Sequence, residues 1–138
     1  MSIVQTQTTS FKKELYQGVH DLSTDTIYIA LYTASADLNA ATTVYSATNE
    51  VSATGYTAGG KALTGVAIST DGYTAYVNWS NVSWTSALTA RCALIYNVTQ
   101  GNKSVAVLDF GSDKTSTTTF TITMPSNTST TALIRSSN

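Results

Sequence analysis

The feature that most constrains the fold is a run of alternating residues interrupted once by a turn dipeptide. In GVAISTDGYTAYVNW, Asp71-Gly72 is a favoured two-residue turn, and apolar and polar residues alternate on both sides of it. Pairing outward from this turn places two pairs opposite each other on one face: Ile68 with Ala75, and Val66 with Val77. The sequence therefore predicts an antiparallel hairpin here, within a fold in which β-strands dominate.

The same two-residue period recurs along most of the chain, most clearly in TIYIALYT and TTTFTITM. We expect strands at 26–33, 88–98, 104–110 and 117–124, a short one near 48–54, and a last edge strand at 132–135. Residues 99–102 predict the turn of a second hairpin, and 111–116 predict a further turn. About seven or eight strands result, which favours a mainly β fold, an antiparallel β-sandwich or small barrel.

One segment has helical periodicity instead. Four apolar residues fall on one stripe of a helix: Phe11, Leu15, Val19 and Leu22. This spacing predicts one N-terminal helix over 10–21, with Ser10 capping its first turn. Residues 1–9 show no period, so we expect a flexible N-terminal arm, with the single β domain spanning 10–138.

The charge content excludes some function classes. Charged residues make up only 11% of the chain and the net charge is -1, so there is no electrostatic basis for binding nucleic acid. No run approaches the ~20 apolar residues of a membrane span, and the N-terminus has no signal-peptide pattern, so we expect synthesis in a cytoplasm and no membrane contact. Weak net charge also lowers the repulsion between copies, which favours a homo-oligomer over a free monomer.

Few residues could carry chemistry, and each is better explained by structure. His20 is the only histidine and lies near the end of the predicted helix, where it would complement the helix dipole. Cys92 lies in an apolar strand and is expected to be a core residue. Asp109 could form a carboxylate pair with Asp113, as a glycan-acting enzyme needs, but an ion pair with Arg91 is favoured. We therefore expect no catalytic residue, no metal site and no cofactor.

Tyrosines outside the regular strands are the candidates for partner contact. Tyr45 and Tyr56 lie in the long polar stretch between the strand predicted at 26–33 and the predicted hairpin. Tyr73 follows the turn dipeptide of that hairpin. Tyrosine combines rigid apolar area with one polar tip, which suits recognition surfaces. A long irregular segment in a small domain is also usually functional.

Several runs of the chain resemble small structural proteins of tailed bacteriophages: SFKKELYQGVHDL, TIYIALYTASADLNAATTVYS, NEVSATGYTAGGKAL, RCALIYN and AVLDFGSDK. The resemblance covers about residues 10–114. It implies a virion protein made in the host bacterial cytoplasm, of the capsid decoration or cement type. Such proteins are commonly trimeric β domains that bind themselves and the major capsid protein. The alternative implied by the same resemblance is a tail adaptor, or a tail-fibre module that binds the host, in contact with other tail proteins.

Overall fold

Ten strands and one helix form the part of the chain that the structure describes, residues 2–137 of a computed structural model. The elements are β1 (Thr6–Gln7), α1 (Thr9–Tyr16), β2 (Ile27–Tyr32), β3 (Lys61–Ala62), β4 (Ala67–Asp71), β5 (Thr74–Asn78), β6 (Val82–Trp84), β7 (Thr89–Asn97), β8 (Lys103–Thr115), β9 (Phe120–Ile122) and β10 (Ile134–Ser136).

The strands form three antiparallel sheets. A five-stranded sheet has the order β1-β8-β7-β2-β3, a three-stranded sheet has the order β10-β5-β4, and β6 pairs with β9. The predicted class is therefore confirmed: a mainly β fold of sandwich type with one N-terminal helix. The strand count exceeds the expected seven or eight because β1, β3 and β6 are too short to show a period.

One continuous core lies between the sheets. The helix contributes Phe11, which is fully buried, and the smaller sheets contribute residues such as Val77, Trp84 and Phe120. A second, smaller cluster covers the other face of the large sheet around Tyr32. Because β2 and β7 are covered on both faces, they consist of nearly continuous apolar residues. Each large apolar side chain buried in this way contributes about 1.5–3 kcal/mol.

The predicted hairpin forms, but its register differs from the expected one. Asp71 pairs with Thr74, so the two turn residues are Gly72 and Tyr73, and Ile68 lies opposite Val77 instead of Ala75. Gly72 has a positive φ of +59°, whereas the φ of Tyr73 is not positive. This is the pattern of a type II′ turn, which places glycine at the first central position.

The helix is shorter than expected and begins earlier. It spans Thr9–Tyr16, and Thr8 caps it in place of Ser10, because the Thr8 hydroxyl accepts a hydrogen bond from the backbone N–H of Phe11. Gly18, with a φ of +71°, follows the helix and turns the chain away. Val19 and Leu22 therefore lie outside it.

The expected N-terminal arm lies along the domain in this structure. Thr6 and Gln7 pair with Val107 and Ala106 of β8, and the backbone N–H of Val4 donates to the carbonyl oxygen of Leu38 at 3.0 Å. The sequence of residues 1–9 shows no strand period because β1 has only two residues, which are too few to alternate.

Two predictions for the segments next to the large sheet were wrong. The strand expected near 48–54 is absent; Glu50 forms only an isolated bridge with Tyr32, and Lys61–Ala62 pairs with β2 instead. The turn expected at 111–116 is also absent, because β8 continues to Thr115 through an irregularity in its pairing with β7. The last predicted strand is confirmed as β10, at an edge of its sheet.

Candidate interaction surface

Two of the three candidate tyrosines converge on one carboxylate. The Tyr45 hydroxyl donates to Glu50 Oε1 at 2.6 Å, and the Tyr56 hydroxyl donates to Glu50 Oε2 at 2.6 Å. The backbone N–H of Gly59 also donates to Oε2, at 2.8 Å. Hydrogen bonds to an ionised acceptor are shorter and stronger than neutral ones. Three hydrogen bonds to the Glu50 carboxylate therefore hold together different parts of the long segment between β2 and β3.

The same segment is also fastened to the large sheet. The Tyr56 hydroxyl accepts a 2.8 Å hydrogen bond from the backbone N–H of Leu31 in β2, and the Tyr96 hydroxyl of β7 donates to the carbonyl oxygen of Gly59. The rings of Tyr45 and Tyr96 stack with their centroids 4.7 Å apart. The tyrosine cluster around Glu50, formed by Tyr45, Tyr56 and Tyr96, therefore holds the segment in place.

Burial changes the acidity of these phenols. It raises the pKa of Tyr96 to about 12, and the nearby negative charge of Glu50 acts in the same direction. Burial, together with the hydrogen bond to Glu50, also raises the pKa of Tyr45 and Tyr56. All three stay neutral donors through the physiological range. Tyr56 is only 8% exposed, so little of this contact candidate's side chain is accessible at the surface.

Tyr73 is the candidate that the structure leaves open, because it is 90% exposed at the tip of the β4–β5 hairpin. Sequence reasoning missed a second tyrosine, Tyr16, which is 93% exposed at the end of α1. Its position outside the apolar stripe of the predicted helix could have indicated this exposure. These two phenols project into solvent, whereas Tyr45 is half-buried in its stack on Tyr96.

An apolar groove of about 450 Å³ lies between the helix and the three-stranded sheet. Its lining includes Phe11, Leu15, Leu22, Ile68, Val77 and Ile134. Leu15 and Ile68 remain 38% and 54% exposed, although both are large aliphatic side chains. The apolar groove thus joins the element that carries Tyr16 to the hairpin that carries Tyr73, and it is the surface best suited to contact by burial of apolar area.

His20 lies beyond the helix end, where it lines one side of the apolar groove and belongs to a polar network. Its Nε2 lies 2.9 Å from Glu14 Oε1, and its Nδ1 lies 2.9 Å from the side-chain nitrogen of Asn97. The Asn97 amide also donates to Asp25 at 2.8 Å. Burial alone would raise the pKa of Asp25, but hydrogen bonds from Asn97 and the Asp21 backbone lower it overall. His20 therefore does not complement the helix terminus as predicted; its side chain links Glu14 of α1 to Asn97 of β7.

The other residues considered for chemistry have structural partners. Arg91 lies 3.2 Å from Asp109, as expected, and Asp109 Oδ1 accepts a further 2.8 Å bond from the backbone N–H of Gly111. Cys92 is fully buried, as predicted, and burial raises the pKa of its thiol to about 11. Within residues 2–137, no three His, Cys, Asp or Glu side chains come together as they would to hold a metal ion.

A wider cleft of about 680 Å³ opens between β8 and β9. Phe110, Phe120 and Met124 line it together with threonines of the β9 segment, and Lys114 is its only charged lining residue. Its lining mixes polar and apolar groups, and it brings together no set of candidate residues from the sequence.

Comparisons with family models, with curated proteins and with solved structures found no match to this chain. No helix among residues 2–137 is long and apolar enough to cross a membrane.

Proposed function

We propose that this chain is a structural protein of a tailed-bacteriophage particle, which decorates or cements the capsid by burying its apolar groove against the major capsid protein. The observation that carries the proposal is the exposure of Leu15, Ile68, Tyr16 and Tyr73 on the two elements that border this groove. Large apolar side chains clustered at a surface gain free energy when a partner covers them. The resemblance of the sequence to small virion proteins supplies the identity of that partner.

The mechanism we propose is interface burial without a reaction. Low charge suits it, because a surface with few charged groups loses little solvation when it is covered. The tyrosine cluster around Glu50 suits it as well, since a fastened loop has less conformational entropy to lose on binding. On a capsid, many weak contacts of one kind act together, so modest affinity per copy is sufficient.

The test is addition of the purified protein to heads that lack it. We expect the protein to sediment with the heads and to raise their melting temperature. Leu15→Ser should weaken head binding by about 1 kcal/mol, roughly fivefold, because it removes apolar area from the rim of the groove. Val98→Ser is a matched control: Val98 is also 38% exposed, but it lies in the β7–β8 turn, away from the groove. A protein that never sediments with heads contradicts the proposal.

The second candidate is a tail adaptor or a host-binding module of a tail fibre. The observation in its favour is Tyr73, because a phenol at the tip of a hairpin is placed to meet a glycan or a surface protein. Copy number separates the two candidates. Quantitative mass spectrometry of whole virions should give hundreds of copies for a cement protein, and far fewer for a tail component.

A further inference from the structure

The three-stranded sheet has two edges, and they differ. At one edge, the side-chain nitrogen of Gln7 donates a 3.1 Å hydrogen bond to the carbonyl oxygen of Arg135 in β10. A side chain of β1 therefore already engages a backbone carbonyl at that edge. At the other edge, β4 pairs with β5 alone. Four of its five residues are exposed, and among the described residues no backbone partner lies on its outer side.

The outward-pointing groups of β4 follow from the turn. In a two-residue turn the carbonyl oxygen of Asp71 accepts from the backbone N–H of Thr74, so this pair is hydrogen-bonded. Hydrogen-bonded and non-bonded pairs alternate in an antiparallel ladder. The backbone N–H and C=O groups of Ser69 and Ala67 therefore also point towards β5. Ile68 and Thr70 therefore direct their N–H and C=O groups outward, away from the sheet.

Natural edge strands usually carry a feature that blocks further pairing, such as a lysine, a proline or a bulge. The stretch from Leu63 to Thr70 has no charged residue and no proline, and the β4–β5 register is unbroken. The one charged residue of β4, Asp71, accepts a 2.8 Å hydrogen bond from the Ser129 hydroxyl. Its carboxylate is thus engaged within the chain.

We infer that β4 pairs in antiparallel fashion with β4 of a second copy across a two-fold axis at Ser69. This register sets the outward groups of Ile68 opposite those of Thr70 in the second copy, so both sets of donors meet acceptors. It sets Asp71 opposite Ala67, so no like charges face each other. The product is a continuous six-stranded sheet, and an isologous pair closes after two copies.

A second copy fits this edge better than a head-to-tail arrangement. A ring built from β4 and β10 would need the outward carbonyl of Arg135 in β10, and the Gln7 side chain already donates to that carbonyl. The inferred pair has two-fold symmetry, whereas the sequence resemblance implies a trimer, so the two differ in the oligomer that they predict. The inference goes beyond the proposed function and does not depend on capsid binding. Five residues per copy make a small contact, so we expect the pair to form reversibly as concentration rises.

Sedimentation velocity of the purified full chain tests the inference. The mass should rise from 14.6 kDa towards twice that value between micromolar and millimolar concentration. Thr70→Pro removes one outward N–H without touching the bonds to β5, and should keep the chain monomeric. Thr70→Val, which keeps the N–H, is the matched control and should pair like the parent protein. A chain that stays monomeric throughout, forms trimers, or pairs equally well as Thr70→Pro overturns the inference.

Amide hydrogen exchange gives a readout that does not depend on a folded variant. In the parent protein the amides of Ile68 and Thr70 should exchange more slowly as concentration rises, whereas the Ser69 amide should be protected at every concentration. Protection of Ile68 and Thr70 that appears only when heads are added would assign this edge to the capsid and overturn the pairing. Loss of head binding with pairing intact would count against the proposed function alone.

Discussion

The Tyr56 hydroxyl donates a 2.6 Å hydrogen bond to Glu50 Oε2, six residues before it in the chain. The same hydroxyl accepts from the backbone N–H of Leu31, so one phenol links the long segment after β2 to β2 itself. Most of this segment has no regular secondary structure, and side-chain hydrogen bonds replace the backbone ladder that would otherwise fix it.

Replacing Glu50 should therefore loosen the segment. Glu50→Gln keeps the shape but removes the charge and replaces one acceptor oxygen by an NH2 group. At least one of the three donors then loses its acceptor, so we expect a loss of about 1.5–3 kcal/mol in the free energy of unfolding. Urea unfolding followed by circular dichroism measures it. Asp113→Asn is the control, because Asp113 is exposed on β8 and should change stability by less than about 0.5 kcal/mol. Equal effects of the two substitutions would refute the role of Glu50.

The tyrosine cluster around Glu50 also predicts how stability depends on alkaline pH. In the unfolded chain tyrosine has a pKa of about 10, whereas in the folded protein the pKa of Tyr96 is raised to about 12. The stability that these neutral phenols contribute is complete below pH 10 and is lost as the pH rises towards 12.

Thermal melting at successive pH values should thus show a decline in melting temperature that begins near pH 10. Absorbance titration of tyrosinate should show a late-titrating group in the native protein, and none in the denatured protein. Identical titration curves for the native and denatured protein would contradict the raised pKa values.

Gly60 is required by a close backbone contact. It has a φ of +83°, and a Cβ at this position would lie 1.8 Å from the carbonyl oxygen of Ile29. Gly60→Ala should therefore destabilise the protein by at least about 3 kcal/mol, since both the φ and the contact are unfavourable. Gly101→Ala is the matched control: its φ is +72°, but a Cβ there meets nothing within 4 Å, so about 1 kcal/mol is expected. Chemical denaturation of both variants makes the comparison, and similar losses would show that the contact is unimportant.

The helix start offers a direct comparison between the predicted and the observed cap. Thr8 is fully buried, caps the helix and lies 2.9 Å from the Ser104 hydroxyl, so Thr8→Val should cost about 1–2 kcal/mol. Ser10→Ala, at the position that the sequence predicts as the cap, should cost less because Ser10 makes only a 3.3 Å side-chain contact with Ser104. Equilibrium unfolding measures both losses; a larger loss for Ser10→Ala would restore the original assignment.

Short-range patterns made the strands predictable. The alternation in TIYIALYT, the turn between β4 and β5 and the turn between β7 and β8 all depend on residues close together in the chain. The pairing of Arg91 with Asp109 was predictable for a related reason, since these residues lie on neighbouring strands of one hairpin. Even there, the register of the β4–β5 hairpin was missed, because Asp71-Gly72 and Gly72-Tyr73 are both compatible with a glycine-containing two-residue turn.

The surroundings of the tyrosines could not be predicted in the same way. Tyr45, Tyr56 and Tyr73 look alike in sequence, each beside small polar residues, yet one is stacked, one is buried and one is free. What separates them is contact with residues far along the chain, such as Tyr96 for Tyr45 and Leu31 for Tyr56.

The sequence by itself determined a mainly β chain with few charges, one short helix and the approximate position of most of its longer strands. Side-chain period and turn chemistry are local properties, so they can be found without knowledge of the fold. Only the tertiary structure decided that Tyr45 and Tyr56 both bond to Glu50, that Gln7 bonds to the Arg135 carbonyl of β10 and that β4 remains an open edge. These features depend on which distant segments pack together, and that choice is made by the whole core.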